Sequence, residues 1–180
     1  MKRSLFIVGA LAVIVSSTIF VSQAPAPYAN PLIGTWKQNM EKSTYSPGPP
    51  PARGVGSVRQ YAAGDDGSVV AVTFNIDPQG LPSLGAVAAA NYDGKEYAQH
   101  TIATLATSLG SHIGPRIERT IAYKPVNQYT VEITQRQDGR VVSMVTRTIS
   151  RDGKTMTERS DFTDSASGQQ INNVLVFEKQ

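Results

Sequence analysis

The stretch Gln128-Tyr129-Thr130-Val131-Glu132-Ile133-Thr134-Gln135-Arg136-Gln137-Asp138-Gly139-Arg140, continued by Val141 to Ser150 and a second Asp152-Gly153, decides the fold. Tyr129, Val131 and Ile133 alternate with Thr130, Glu132 and Thr134, the period-two pattern of a strand with one face in a core. Asp-Gly supplies the positive φ angles of a tight two-residue turn, so the two dipeptides predict two successive hairpins.

The same punctuation recurs outward in both directions. Toward the N-terminus, Val55–Tyr61 leads to Gly64-Asp65-Asp66-Gly67, and Ser68–Ile76 leads to Asp77-Pro78-Gln79-Gly80. Leu84–Tyr92 leads to Asp93-Gly94, and Ile117–Tyr123 leads to Lys124-Pro125-Val126-Asn127. Toward the C-terminus, Thr155–Phe162 leads to a loop with Gly168, and Asn172–Lys179 closes the chain. Hairpin-linked strands in this number predict an all-β, antiparallel up-and-down meander. It avoids exposed edges most simply by closing into a barrel of eight to ten strands. The segment from Tyr97 to Pro115 breaks the pattern. Ile102, Leu105, Ala106 and Leu109 fall at helical spacing, while Thr101, Thr104 and Thr107 weaken a helix. Either a short helix or loop over one barrel end, or a plain packed connection, is expected there.

A chain of 180 residues suits one domain with a real core. Setting aside Lys2 and Arg3, the 17 basic residues become 15 against 14 acidic ones, scattered singly among each other. This is not the clustered basic face of a nucleic-acid binder, so no nucleic-acid partner is expected. The chain has no cysteine. Disulfides, thiolate metal sites, a Cys nucleophile and lipid attachment through an N-terminal cysteine are therefore excluded.

Residues 1–29 read as a targeting segment. Lys2-Arg3 precede an almost wholly apolar run from Leu5 to Val21, followed by small residues around Ala24, Ala26 and Ala29. This is the layout of a secretory signal peptide, with an uncleaved anchor over residues 5–21 as the alternative. Either places the folded part, residues 30–180, outside the cytoplasm, in the periplasm or beyond the cell. Membrane contact is expected only through the N-terminal segment if it is retained. Pro25 to Pro31 is an extended linker. Ser46-Pro47-Gly48-Pro49-Pro50-Pro51 reads as a stiff polyproline-like surface loop.

Gly34-Thr35-Trp36 resembles the Gly-x-Trp opening of lipocalins and related calycin barrels. Ser150-Arg151-Asp152-Gly153-Lys154-Thr155-Met156-Thr157 and the ending Val174-Leu175-Val176-Phe177-Glu178-Lys179 resemble the late hairpin and last strand of fatty-acid-binding proteins. The domain from Gly34 also resembles a set of secreted bacterial proteins. They share its Gly-Thr-Trp-Lys opening, its Lys-Ser-x-Tyr-Ser-Pro-Gly-Pro loop and its Asn-Asn-Val near the end. The calycin resemblance implies a barrel holding a small apolar or amphipathic ligand. It also implies that Trp36 plugs one end and packs near a basic side chain. Leu175 and Phe177 stand where fatty-acid-binding proteins carry a carboxylate-clamping Arg and Tyr.

If both Asp-Gly turns are two-residue loops, register follows. Ile133 faces Met144, Val131 faces Thr146 and Tyr129 faces Thr148; Thr148 then faces Thr157 and Thr146 faces Arg159. Since Val131 and Ile133 face the core, the inner face continues as Val142, Met144, Thr146, Thr148, Thr157, Arg159 and Asp161. The outer face carries Arg147 opposite Glu158. Tyr129, Thr146, Thr148, Thr157 and Arg159 are thus the candidate ligand-binding residues, giving an apolar guest its polar contacts. A one-residue slip would reverse every face, sending Arg159 out and Met156 and Phe162 in.

Catalytic patterns are not found. His100 and His112 match no helical metal pair, and Gly110-Ser111-His112-Ile113-Gly114 lacks a central Ser. No cofactor, metal site or catalytic residue is assigned. The leading reading is an exported lipocalin-like binder of a small hydrophobic or amphipathic molecule. Two alternatives are a filled barrel acting as an interaction module through the Tyr45 to Pro51 loop, and an enzyme using Asp161, Tyr129 and Arg159.

Overall fold

Both central residues of the Asp138-Gly139 turn have positive φ, 49° and 77°, and Gln137 pairs with Arg140 across it. The computed structural model describes residues 31–49, 55–101, 118–163 and 167–180. The expected signal segment, the last two prolines of the proline-rich stretch and residues 102–117 lie outside the described residues.

Among the described residues ten strands follow in chain order: β1 (Gly34–Thr44), β2 (Gly56–Ala63), β3 (Val69–Ile76), β4 (Pro82–Ala90) and β5 (Glu96–His100). Then come β6 (Arg119–Asn127), β7 (Thr130–Gln137), β8 (Arg140–Ile149), β9 (Thr155–Thr163) and β10 (Gln170–Lys179). Each pairs antiparallel with the next, and β10 pairs with β1, so the meander closes into a barrel. The fold class expected from the turns is the one observed. Two boundaries differ. Tyr97 begins no irregular segment but lies in β5, pairing with Ile121. The turn expected at Lys124 to Asn127 falls at Gln128-Tyr129 instead, where the Asn127 Oδ1 accepts the Tyr129 N–H at 2.8 Å.

The register between β8 and β9 is the expected one: Thr148 pairs with Thr157, Arg147 with Glu158 and Thr146 with Arg159. Between β7 and β8 it is not. Arg136 pairs with Val141 but Gln135 pairs with Ser143, so Val142 is an extra residue on β8. Such a bulge reverses the face of everything beyond it. Ile133 therefore faces Val145 and Val131 faces Arg147. The inward set becomes Val145, Arg147 and Ile149 on β8, and Met156, Glu158 and Ser160 on β9. Met156 is fully buried, as that slip requires, and Phe162 is half-buried on the same side.

One end of the barrel is apolar. Leu32, Trp36, Tyr61, Val69, Ile149, Met156 and Phe177 form one apolar cluster there. Trp36 is fully buried and its Nε1 donates to the Leu32 carbonyl at 2.7 Å. The Lys179 Nζ lies 5.2 Å from the ring centroid, the basic neighbour that the resemblance implied for this Trp. A second cluster, Ala88, Ala90, Ile121, Tyr123, Val131 and Ile133, lines β4, β6 and β7.

Candidate binding site in the barrel interior

Midway along the barrel the interior stops being apolar. Arg59 from β2, Arg147 from β8 and Glu158 from β9 meet there. The Arg147 Nε donates to Glu158 Oε1 at 2.8 Å, and the Arg59 Nη1 donates to the same oxygen. Their side chains are 5%, 16% and 4% exposed for Arg147, Arg59 and Glu158 respectively, so the triad is almost out of water. A buried charge is costly unless it is paired. Here aromatic faces supply part of the compensation. Arg59 lies 4.4 Å over the Phe177 ring, and Arg147 lies 4.9 Å and 5.8 Å from the rings of Tyr61 and Tyr123. Tyr92 stacks on Tyr123 at 4.7 Å with its hydroxyl 3.5 Å from the Arg147 Nη1.

The electrostatics follow from this geometry. Burial alone would raise the Glu158 carboxyl, but the two guanidiniums outweigh it and hold the group below its usual value of 4.5. Burial pushes the Tyr123 hydroxyl up to about 12, against the smaller opposing pull of Arg147. Burial likewise raises Tyr92 well above its ordinary value. The triad is therefore two cations and one anion at neutral pH, and the tyrosines are neutral hydrogen-bonding groups.

Two chambers flank the triad. The central chamber has a volume of about 360 Å³ and runs from the triad along β3, β5, β7, β8 and β9. Thr73, Asn75, Gln99, Gln135, Ser143 and Ser160 line it together with Tyr123 and Leu175. The second, about 600 Å³, lies at the Trp36 end between Leu32, Val69, Pro125, Tyr129, Val131 and Ile149. Arg147 lines both.

The residues proposed from sequence are distributed differently from the expectation. Tyr129 lines the chamber at the Trp36 end. Thr146, Thr148 and Arg159 are exposed on the outer face, and Thr157 shares that face. The expected polar inner face of Thr146, Thr148, Thr157 and Arg159 is thus corrected: the Val142 bulge turns it outward. Asp161 is also on the outside, bonded to the Gln170 Nε2 at 2.7 Å, so Asp161, Arg159 and Tyr129 are not brought together. The groups that do converge are Arg147 and Glu158, which the sequence register had placed outside, and Arg59. A signal for them existed. On β8 and β9 the apolar Val145, Ile149 and Met156 alternate in phase with Arg147 and Glu158, not with Arg159.

No family model matches the chain, and no curated protein or solved structure matches it either. The closed ten-strand antiparallel barrel is consistent with a calycin-like fold.

Proposed function

We propose that this protein is an exported, lipocalin-like barrel that binds a small amphipathic molecule in its interior. The observation that carries the reading is Arg147, a buried cation exposed to an apolar chamber on one side and a polar one on the other. A solid structural core has little use for a desolvated arginine, whereas a binding cavity uses a few convergent polar groups to orient its guest. The two carboxylate-clamping residues of fatty-acid-binding proteins are replaced by Leu175 and Phe177, and Arg59 instead packs over the Phe177 ring. The cationic group here comes from β2 and β8, on other strands of the ring. The export part rests on the basic-then-apolar N-terminal sequence.

Native mass spectrometry of the full chain purified from its own host tests the reading. Titration with the reporter dye 8-anilinonaphthalene-1-sulfonate serves as a second arm. A retained small molecule, or saturable dye fluorescence that falls in Arg147→Gln, is the expected result. A chain that carries no guest and gives no saturable dye signal overturns it.

A further inference from the structure

We infer that the central chamber takes a compact, oxygen-rich monoanion of the hydroxycarboxylate class, its acidic group against Arg59 and its hydroxyls against the amide and hydroxyl side chains of β3, β5, β7, β8 and β9. This rests on the interior-binding reading above and specifies the guest.

Three observations converge. The first is charge. Two guanidiniums share one carboxylate oxygen, so the triad keeps one positive charge in excess inside the barrel. Charge neutrality in a desolvated site calls for one negative charge on the guest. A dianion would exchange an excess positive charge for an excess negative one. The second is the free hydrogen-bonding capacity. The Arg59 Nε is buried without a partner and belongs to a side chain that lines the chamber. None of the six side chains Thr73, Asn75, Gln99, Gln135, Ser143 and Ser160 is bonded to another residue among the described ones. Each of these hydroxyls and amides can both give and take a hydrogen bond. An alkyl chain would strand these groups, each at roughly a tenfold cost in affinity. A guest rich in hydroxyl oxygens would satisfy them. The third is size. About 360 Å³ is at the small end of ligand chambers, which run from roughly 300 to 1,000 Å³.

The chamber also contrasts with its neighbour. The 600 Å³ chamber beyond Arg147 is lined mainly by aliphatic and aromatic carbon. An apolar guest would partition there, so the two chambers separate two chemistries at one arginine.

Calorimetric titration of the full chain with three six-carbon probes separates the contributions. Gluconate has the charge and the hydroxyls, glucitol the hydroxyls alone, and hexanoate the charge alone. Quinate, a cyclic hydroxy acid, is titrated alongside to allow for stereochemistry. At least one of the two hydroxy acids is expected to bind about tenfold or more tighter than glucitol and hexanoate. That affinity should fall about tenfold or more in Arg59→Gln and severalfold in Gln135→Leu. Gln135→Leu keeps the triad intact and covers the case in which Arg59→Gln does not fold. Hexanoate or glucitol binding as tightly as both hydroxy acids overturns the inference, as does unchanged affinity in Gln135→Leu. If neither hydroxy acid binds while the reporter dye still titrates the interior, the inference fails and the interior-binding reading stands. If neither they nor the dye bind, both fall.

Discussion

Arg147 donates from Nε to Glu158 Oε1 at 2.8 Å in the middle of the barrel, directly across the β8–β9 ladder, and Arg59 reaches that same oxygen from β2. One carboxylate thus ties together strands from both halves of the chain. Its removal leaves two nearly dry guanidiniums with only aromatic faces and Tyr92 for company.

Glu158→Gln is therefore expected to destabilise the barrel by about 3–5 kcal/mol, the range for breaking a buried pair by removing one partner. Urea unfolding followed by Trp36 fluorescence reads this directly, since Trp36 is the chain's single tryptophan and is fully buried. A loss within 1 kcal/mol, the scale of an exposed pair, would mean that water reaches the triad freely.

The acid limb of stability should carry the mark of the same residue. The folded-state value of Glu158 lies below the ordinary 4.5. Its contribution is then complete above that ordinary value and is lost as pH falls through the lower, folded one. Stability of the native chain is expected to drop on acidification below about pH 4.5, and Glu158→Gln is expected to flatten that part of the curve. Matching pH profiles for the two proteins would assign the acid limb to other carboxyls.

At high pH the sign reverses. Tyr123 is raised from 10.0 to about 12 by burial, so the folded state resists its ionisation. That stabilisation is present below pH 10 and disappears as pH climbs through about 12. Absorbance titration of phenolate should show a late step near pH 12 that coincides with loss of structure. Tyr123→Phe should reduce the amplitude of that late step. A native-state titration in which all tyrosines ionise together near 10 contradicts the burial seen here.

Arg159 provides the contrast. It is exposed on the outer face, one residue from Glu158. Arg159→Ala is expected to shift stability by no more than about 0.5 kcal/mol and to leave dye titration of the interior unchanged. Arg147→Ala, at a neighbouring level but facing inward, should lower stability by several kcal/mol. Equal effects of the two substitutions would restore the sequence-derived register.

How much of this was legible in advance depends on the range of the signals. Turn chemistry is local: Asp138-Gly139 needs two positive φ angles, and the residues say so. The ladder order follows from the short links, and closure follows from the cost of open edges. The bulge is different. Val141-Val142-Ser143 contains no glycine and nothing that forbids regular pairing. The extra residue is accommodated because it brings Val145 and Ile149, rather than Met144, into the core. Met144 is 51% exposed, while Ile149 is 6% exposed. The preference is a sum over packing partners on β7 and β9, which a residue-by-residue count from one turn does not contain. β5 was missed for a related reason. Glu96–His100 is short and carries one glutamine on its inward face, so its strand character comes from its neighbours. Arg59 lay in a recognised strand segment, but nothing local marks which distant carboxylate it meets.

The seam where β1 meets β10 has a consequence for how the molecule is born. Trp36 pairs with Lys179, residues from opposite extremities of the described chain. Of the ten strands, a ribosome delivers β1 first and Gln170–Lys179 last, so until β10 emerges the growing sheet has two adhesive borders, β1 and whichever strand is newest. Unsatisfied strand edges recruit other chains, and a contact spanning the whole sequence is slow to form. The hazard ends only when β10 is in place. A premature stop before β10 would thus release an open ribbon prone to self-association rather than a slightly shortened barrel.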